Sequence, residues 1–219
     1  EYRNGSSLDK GVARTNLYHP LNEALATGGS IDWFNESSED YYSNLLDARF
    51  DLALRPRVSP VALLWQTRWV QEALGGNGSP DRTRKFINNV HANWLINHSN
   101  QLAGQYGVKR VLDQFDGSDY ATTTDFMAAE WRHHLTERWD VGAHGRRLHA
   151  YEAGQVQHGA GVSVGFIPAT NTWVGVGYNF SGFIDTDFSD ANFTAQGVYL
   201  KLRFKADQDS LAAMRAAFR

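Results

Sequence analysis

The sequence predicts an all-β chain: an antiparallel transmembrane β-barrel of about twelve strands, with eleven complete strands here and a short C-terminal helix. Three observations lead there. Apolar and polar residues alternate along segment after segment. Short connections alternate with longer, polar ones. Five of the seven tryptophans lie within a few residues of the short connections.

Alternation is clearest between Pro168 and Asp207. Val174, Val176, Tyr178 and Phe180 share one face, opposite Gly175, Gly177 and Asn179. Val198, Leu200, Leu202 and Phe204 share another, opposite Tyr199, Lys201, Arg203 and Lys205. A side-chain period of two is a strand signature. An apolar face backed by small or cationic residues suits a barrel wall, with lipid outside and water or side chains inside. A soluble sheet with one wet face gives the same pattern, so alternation does not decide alone.

Composition narrows the choice. The 219 residues are enough for one barrel-sized domain. A net charge of -3 leaves no electrostatic footprint for nucleic acid. With no cysteine, disulfides and thiolate metal sites are excluded. Mean hydropathy is -0.46. No apolar run approaches the roughly 18 residues of a membrane helix, but a barrel strand shows lipid only every second residue. The chain opens on EYRNGSSLDK without a signal peptide, so a targeting segment is expected upstream or already removed.

The strands follow in order. The first two are expected near Gly11–Tyr18 and Ala24–Phe34, joined by a turn at His19–Glu23. Leu45–Arg55 sets Leu46, Ala48, Phe50, Leu52 and Leu54 against Asp47, Arg49, Asp51 and Arg55. Val61–Ala73 sets Leu63, Trp65, Thr67 and Trp69 against Gln66, Arg68 and Glu72. Lys85–Asn97 shows Phe86, Val90, Ala92, Trp94 and Ile96 on one side, and Gln101–Gln114 shows Leu102, Tyr106 and Val108. Phe126–Leu135 sets Met127, Ala129, Trp131 and Leu135 against Glu130, Arg132 and His134. Trp139–His149 sets Trp139, Val141 and Ala143 against Asp140, His144 and Arg146. His158–Ile167 sets Val162, Val164 and Phe166 against Gly161, Ser163 and Gly165.

Connections at 19–23, 56–60, 98–100, 136–138 and 168–172 are short, whereas those starting near 35, 75, 115, 150 and 185 are longer and polar. Outer-membrane barrels are built this way, with the short turns periplasmic. Trp65, Trp94, Trp131, Trp139 and Trp173 then form an aromatic girdle near the short turns. Strands of about 10–13 residues, at ~3.4 Å per residue and ~40° tilt, cross about 25 Å of hydrocarbon. The last strand runs toward the short turns, which predicts a periplasmic C-terminus. Even strand numbers are usual, so Glu1–Asn4 is expected to be the tail of an earlier strand. Residues 1–206 are thus expected to form an N-terminally incomplete barrel, and 207–219 a helix or tail with Leu211, Met214 and Phe218 at helical spacing.

QLAGQYGVKRVLDQFDGSDY, TERWDVGAHGRRLHA, NTWVGVGYNFSGFIDTDF and FTAQGVYLKLRFKAD resemble the C-terminal barrel of large bacterial surface proteins that carry immunoglobulin-like or SdrD-type repeats ahead of it. The resemblance covers roughly residues 85–207 and is most specific at GYNFSGFIDTDF and LKLRFKAD. Lys205-Ala206 departs from the usual ending, where an aromatic residue often follows the Lys. The resemblance implies an outer-membrane anchor or translocator for an exposed passenger, and no catalytic residues.

The polar faces collect both signs of charge: Asp47, Arg49, Asp51, Arg68, Glu130, Arg132, His134, Asp140, His144, Arg146, Lys201 and Arg203. With a turn at Thr136–Arg138, His134 is expected opposite Asp140 and Glu130 opposite His144. In a narrow barrel such side chains meet and fill the lumen; a selective pore lining is the alternative. His133 and His134 point to opposite faces and cannot share a metal ion. Asp185, Asp187 and Asp190 lack the EF-hand spacing for Ca²⁺, which favours a solvated loop. Gly175–Tyr178 is not a phosphate loop, because no helix pattern follows. No metal or cofactor is expected.

The first functional expectation is a non-enzymatic outer-membrane barrel that anchors or helps export a large surface polypeptide. Its expected partners are outer-membrane lipid, an upstream passenger of the same polypeptide and the barrel-assembly machinery, with no nucleic acid. A small-solute pore is the second expectation. A lipid-acting enzyme using His134 or Ser163 is the third, and a soluble β-sandwich is a remote fourth.

Overall fold

In the computed structural model, residues 9–38, 41–76, 81–169, 172–183, 185, 187, 188 and 196–204 are described. The chain is all-β. Its eleven strands are β1 (Asp9–Pro20), β2 (Leu25–Ser37), β3 (Tyr42–Leu54), β4 (Val61–Gly75), β5 (Asp81–Leu95), β6 (Asn100–Phe115), β7 (Ser118–His134), β8 (Trp139–Ala150), β9 (Gln155–Ala169), β10 (Thr172–Ser181) and β11 (Gly197–Phe204). They form one sheet in sequence order, and the five strand pairs whose register is defined are all antiparallel. The expected antiparallel meander of eleven strands is therefore present. No helix of the described residues is long and apolar enough to cross a membrane, which says nothing against crossing by strands. The expected helix at 207–219 lies outside the described residues.

The connections differ from expectation at one end. FDGSDYATTT is not a long loop. Asp116 (φ 48°) and Gly117 (φ 74°) alone turn the chain, and β7 starts at Ser118. Two consecutive positive φ angles make the tight hairpin turn that an Asp-Gly pair favours, and β-branched Thr122–Thr124 suit the strand that follows. The connections Ser38–Tyr41 and Tyr151–Gly154 are likewise brief, and 182–196 is the longest between described strands. The polar residues expected in loops instead lengthen the strands.

Two compact units are distinguishable. The first comprises residues 1–92, 105–127 and 148–156. On one of its faces Ile31, Phe50, Leu63, Trp65, Trp69, Phe86, Val90 and Tyr106 are exposed. Phe50 meets Trp65 edge-on at 5.9 Å, and Trp69 lies 6.4 Å from Phe86. The opposite face is charged. There the register sets Asp32 directly across from Asp47, and Arg49 across from Arg68. Like charges directly opposite destabilise a sheet. Unlike partners relieve the conflict: Arg14 directly across from Asp32, Arg68 Nε on the diagonal to Asp47 at 2.8 Å, and Arg49 to Asp51 two positions along its own strand at 3.1 Å. Gln66 adds a bond to Asp51 at 2.9 Å. Buried Val70, Ile87, Phe126 and Leu148 share the strand faces of the charged residues, so apolar filling accompanies the ion pairs.

The second unit comprises residues 93–104, 128–147 and 157–219. Here the distribution is inside-out. Leu200 is 73% exposed and Val176 52%, whereas Asp140 is 1% and Arg132 8% exposed. A soluble sheet buries the first pair and hydrates the second. The arrangement expected for a soluble sandwich, with Val176 and Leu202 in a shared interior, is absent.

The Asp116–Gly117 turn yields a local test. Alanine at Gly117 meets no neighbouring atom but must take a left-handed backbone, at a cost of about 1 kcal/mol. Amide exchange at Ser118–Thr122 should accelerate in the Gly117→Ala protein, while the amides of β10 stay unchanged.

Candidate functional site

The candidate site is the polar face of the second unit, built on β7, β8, β10 and β11. Arg132 is its centre. Its two terminal nitrogens reach Asp140 Oδ1 at 2.8 Å and Glu130 Oε1 at 2.6 Å. Asp140, expected opposite His134, gives its second oxygen to the indole N–H of Trp173 at 2.7 Å. The guanidiniums of Arg132 and Arg203 lie 4.5 and 5.1 Å from the Trp173 ring. Such cation–π contacts add to the hydrogen bonds where water is excluded.

Further along the same face, His144 Nε2 meets Asn179 Oδ1 at 3.2 Å, and its ring stands edge-on to Tyr199 at 6.3 Å. Lys201 and Arg203 supply further positive charge from β11. A cavity of about 340 Å³ borders Glu130, Arg132, His134, Asp140, Trp173 and Arg203, with Asn93 and Gln101 at its edge.

Glycines make this packing possible. A Cβ at Gly175 would overlap the Trp173 ring, and one at Gly165 would strike both Trp173 and Asp140. A Cβ at Gly161 would lie 2.6 Å from His144 Cε1, and one at Gly177 would overlap Tyr199. Bare backbone on β9 and β10 therefore lets rings and the Asp140 carboxylate lie against the wall. Removing backbone bulk for a close approach is a recognised role of strand glycine.

Trp173 is the correction. Four of the expected girdle tryptophans, Trp65, Trp94, Trp131 and Trp139, are 41–47% exposed on the apolar faces of their units. Trp173 instead turns inward to Asp140. Strand parity carries the reason, because Val174 beside it faces outward. A bulge assists: between Thr172↔Ala169 and Val174↔Phe166, Ile167 and Pro168 stand against Trp173 alone. Pro168 has no N–H to give the ladder, which suits a bulge.

The remaining expected residues fall as follows. Asp47, Arg49, Asp51 and Arg68 belong to the first unit's ion pairs described above. Arg146 is half-buried on β8. His133 stacks on Trp131 at 5.8 Å and shares Asn100 Oδ1 with the Trp131 indole, while His134 borders the cavity. Among the described residues no group of three or more metal-ligating side chains is assembled. Asp187 N–H donates to Asp185 at 2.9 Å, and Asp190 lies outside the described residues.

Two substitutions test this packing. Asp140→Asn removes the charge partner of buried Arg132, and loss of one member of a buried pair costs about 3–5 kcal/mol; the urea midpoint of the refolded protein should fall accordingly. Gly175→Ala should cost about 1–3 kcal/mol through overpacking. Gly145→Ala, where a Cβ meets nothing within 4 Å, should leave the midpoint unchanged.

No protein-family model and no curated protein sequence matches the chain. Several solved structures are similar to it. OmpT of Vibrio cholerae aligns at 10% identity with a TM-score of 0.49, covering 90% of this chain and 96% of that one. The NanC porin aligns at 10% identity with a TM-score of 0.42, covering 94% and 97%. The translocator domain of the autotransporter NalP from Neisseria meningitidis aligns at 6% identity with a TM-score of 0.39, covering 91% and 80%.

Proposed function

We propose that the chain is the wall of a bacterial outer-membrane β-barrel that anchors, or helps export, a large cell-surface polypeptide, without catalysis of its own. The carrying observation is the inside-out second unit: Val176, Val198, Leu200 and Leu202 exposed, and Arg132, Asp140 and Asn179 buried. Bare apolar side chains over two adjacent strands are costly in water and suited to acyl chains. The backbones of β2 to β10 have sheet neighbours on both sides, as a membrane-crossing segment requires. Closure of the wall, a periplasmic C-terminus, an upstream passenger and handling by barrel-assembly machinery belong to this reading.

The polar face favours an anchor over an open channel. Its charges neutralise one another in bidentate and shared bonds rather than lining a wide passage. The cavity beside Arg132 supports the second reading, a pore for small solutes, because it leaves space among unlike charges.

Reconstitution into planar bilayers separates the two. The anchor predicts insertion with little or no single-channel conductance; regular large steps would overturn it in favour of the pore. Leu200→Lys, on the exposed apolar face, should cost about 2–4 kcal/mol of insertion energy if it sits near the bilayer midplane. It should then reduce the folded, heat-modifiable fraction in vesicles, and unchanged insertion would contradict a lipid-facing β11. A reporter domain fused ahead of Glu1 should be cleaved by protease added to intact cells, and protection would oppose surface export.

A further inference from the structure

In the first unit, one end of β5, β6 and β7 belongs neither to the apolar stripe nor to the inner ion pairs. Exposed Phe86 and Val90 on β5, Tyr106 on β6 and Met127 on β7 mark the apolar side of these strands. Farther along the same side come Arg84 and Arg82 on β5, Leu112 on β6 and Asp119 on β7, all exposed. β5 and β6 are in step here, since Thr83 Oγ1 donates to Asp113 Oδ1 at 2.7 Å. A shallow cavity of about 230 Å³ opens at this end, bordered by Arg82, Arg84, Leu112, Asp113, Asp119 and Tyr120. Its two signs of charge are equal in number and separated in space. Both arginines stand on β5, at one flank, and both aspartates stand on β6 and β7, toward the other. Among the described residues no hydrogen bond or ion pair engages Arg82, Arg84 or Asp119. Leu112, Phe115 and Tyr120 are bare at the same end, beyond the arginines that close the stripe.

We propose that this face docks on the same face of a second copy of the chain, making a symmetric dimer within the membrane. The assignment rests on the membrane reading given above. Two copies in one bilayer point the same way, so the two-fold axis that relates them runs along the membrane normal. Rotation about that axis exchanges the flanks of the face. β5 of one copy then lies against β7 of the other, and β6 lies against β6. Arg82 and Arg84 meet Asp119 of the second copy, and the same contact recurs on the other side of the axis, as a self-complementary interface requires. A guanidinium fork suits a carboxylate, with paired N–H bonds. Arg110 on the central strand is offset within its own copy by Glu152 of the Tyr151–Gly154 connection. Leu112, near the axis, gains an apolar partner in its own counterpart, which removes bare apolar surface from water. A ligand of one sign answers only one flank of this face. A second copy answers both.

The experiment follows the oligomeric state of the whole chain, folded in detergent, by sedimentation over a range of protein concentrations. R82D/R84D makes the cationic flank acidic, and D119R makes the acidic flank basic. Each protein alone should dissociate about tenfold more readily than the unsubstituted dimer, because like charges then face each other. Mixed together, the two should form heterodimers, and R82D/R84D/D119R should regain the homodimer. A purely structural role for these charges would not give rescue by mixing. The chain has no cysteine, so Leu112→Cys supplies a second reading. It should cross-link to itself in phosphatidylcholine vesicles, whereas Val176→Cys should not; if a reversed protein fails to fold, this cross-link decides. A monomer at every concentration, or a dimer indifferent to both reversals, overturns the dimer alone. A monomer that holds lipid on this face overturns it in favour of a lipid-covered wall. Failure of the unsubstituted chain to enter vesicles overturns the membrane reading and the dimer with it.

Discussion

Successive side chains of a strand leave on opposite sides, and in this chain that constraint sorts chemistry almost completely. Each strand delivers apolar residues to one side and charged, small or amide residues to the other. Because the sheet is a meander in sequence order, neighbouring strands bring like sides together without any crossing connection. The unusual part is which side is covered. Arg132, Asp140 and Asn179 are buried while leucines and valines stay bare. Burying charge is expensive unless every charge has a partner and every lone pair a donor. Asp140 meets that condition with a guanidinium on one oxygen and an indole N–H on the other.

The small residues of β9 and β10 belong to the same account. Without Gly165 and Gly175 the Trp173 ring could not lie against the wall, and Asp140 would lose its second donor. The glycines thus act on the charge network through space that they leave empty. On the first unit the same problem is met differently. Like charges placed opposite by register find unlike partners elsewhere: Asp32 directly across on β1, Asp47 along the diagonal on β4, and Arg49 two positions along its own strand.

Much of this is legible in the residue order. Strands with strict alternation, such as Leu45–Leu54 and Val198–Leu202, were readable because face and residue type agree at every position. The ends were less so. Asp-Gly at 116–117 is a strong hairpin signal, but it sat inside a run of Ser, Asp and Thr that also reads as loop, and only backbone geometry separates the two. Distance along the chain from a turn puts Trp173 in the girdle, whereas parity with Val174 turns it to the polar face, and parity prevails. The ring–glycine contacts were beyond reach, since a period of two names the face of a residue and not the cross-strand neighbour it will lean on. The pairing of Asp140 with Arg132 rather than His134 is of the same kind: a diagonal contact between adjacent strands, chosen by side-chain length.

The meander also bears on how the chain reaches its native state. Every strand is bonded to its sequence neighbours, so each ladder is a hairpin closed by a connection of modest length. The entropy lost on closing such loops grows only slowly with their size, and early, local closures are quick compared with distant ones. Most of the sheet can therefore zip up hairpin by hairpin. A sheet that propagates in this way keeps an open rail of backbone donors and acceptors at each of its two edge strands, and the leading one is the natural template for the next strand to arrive.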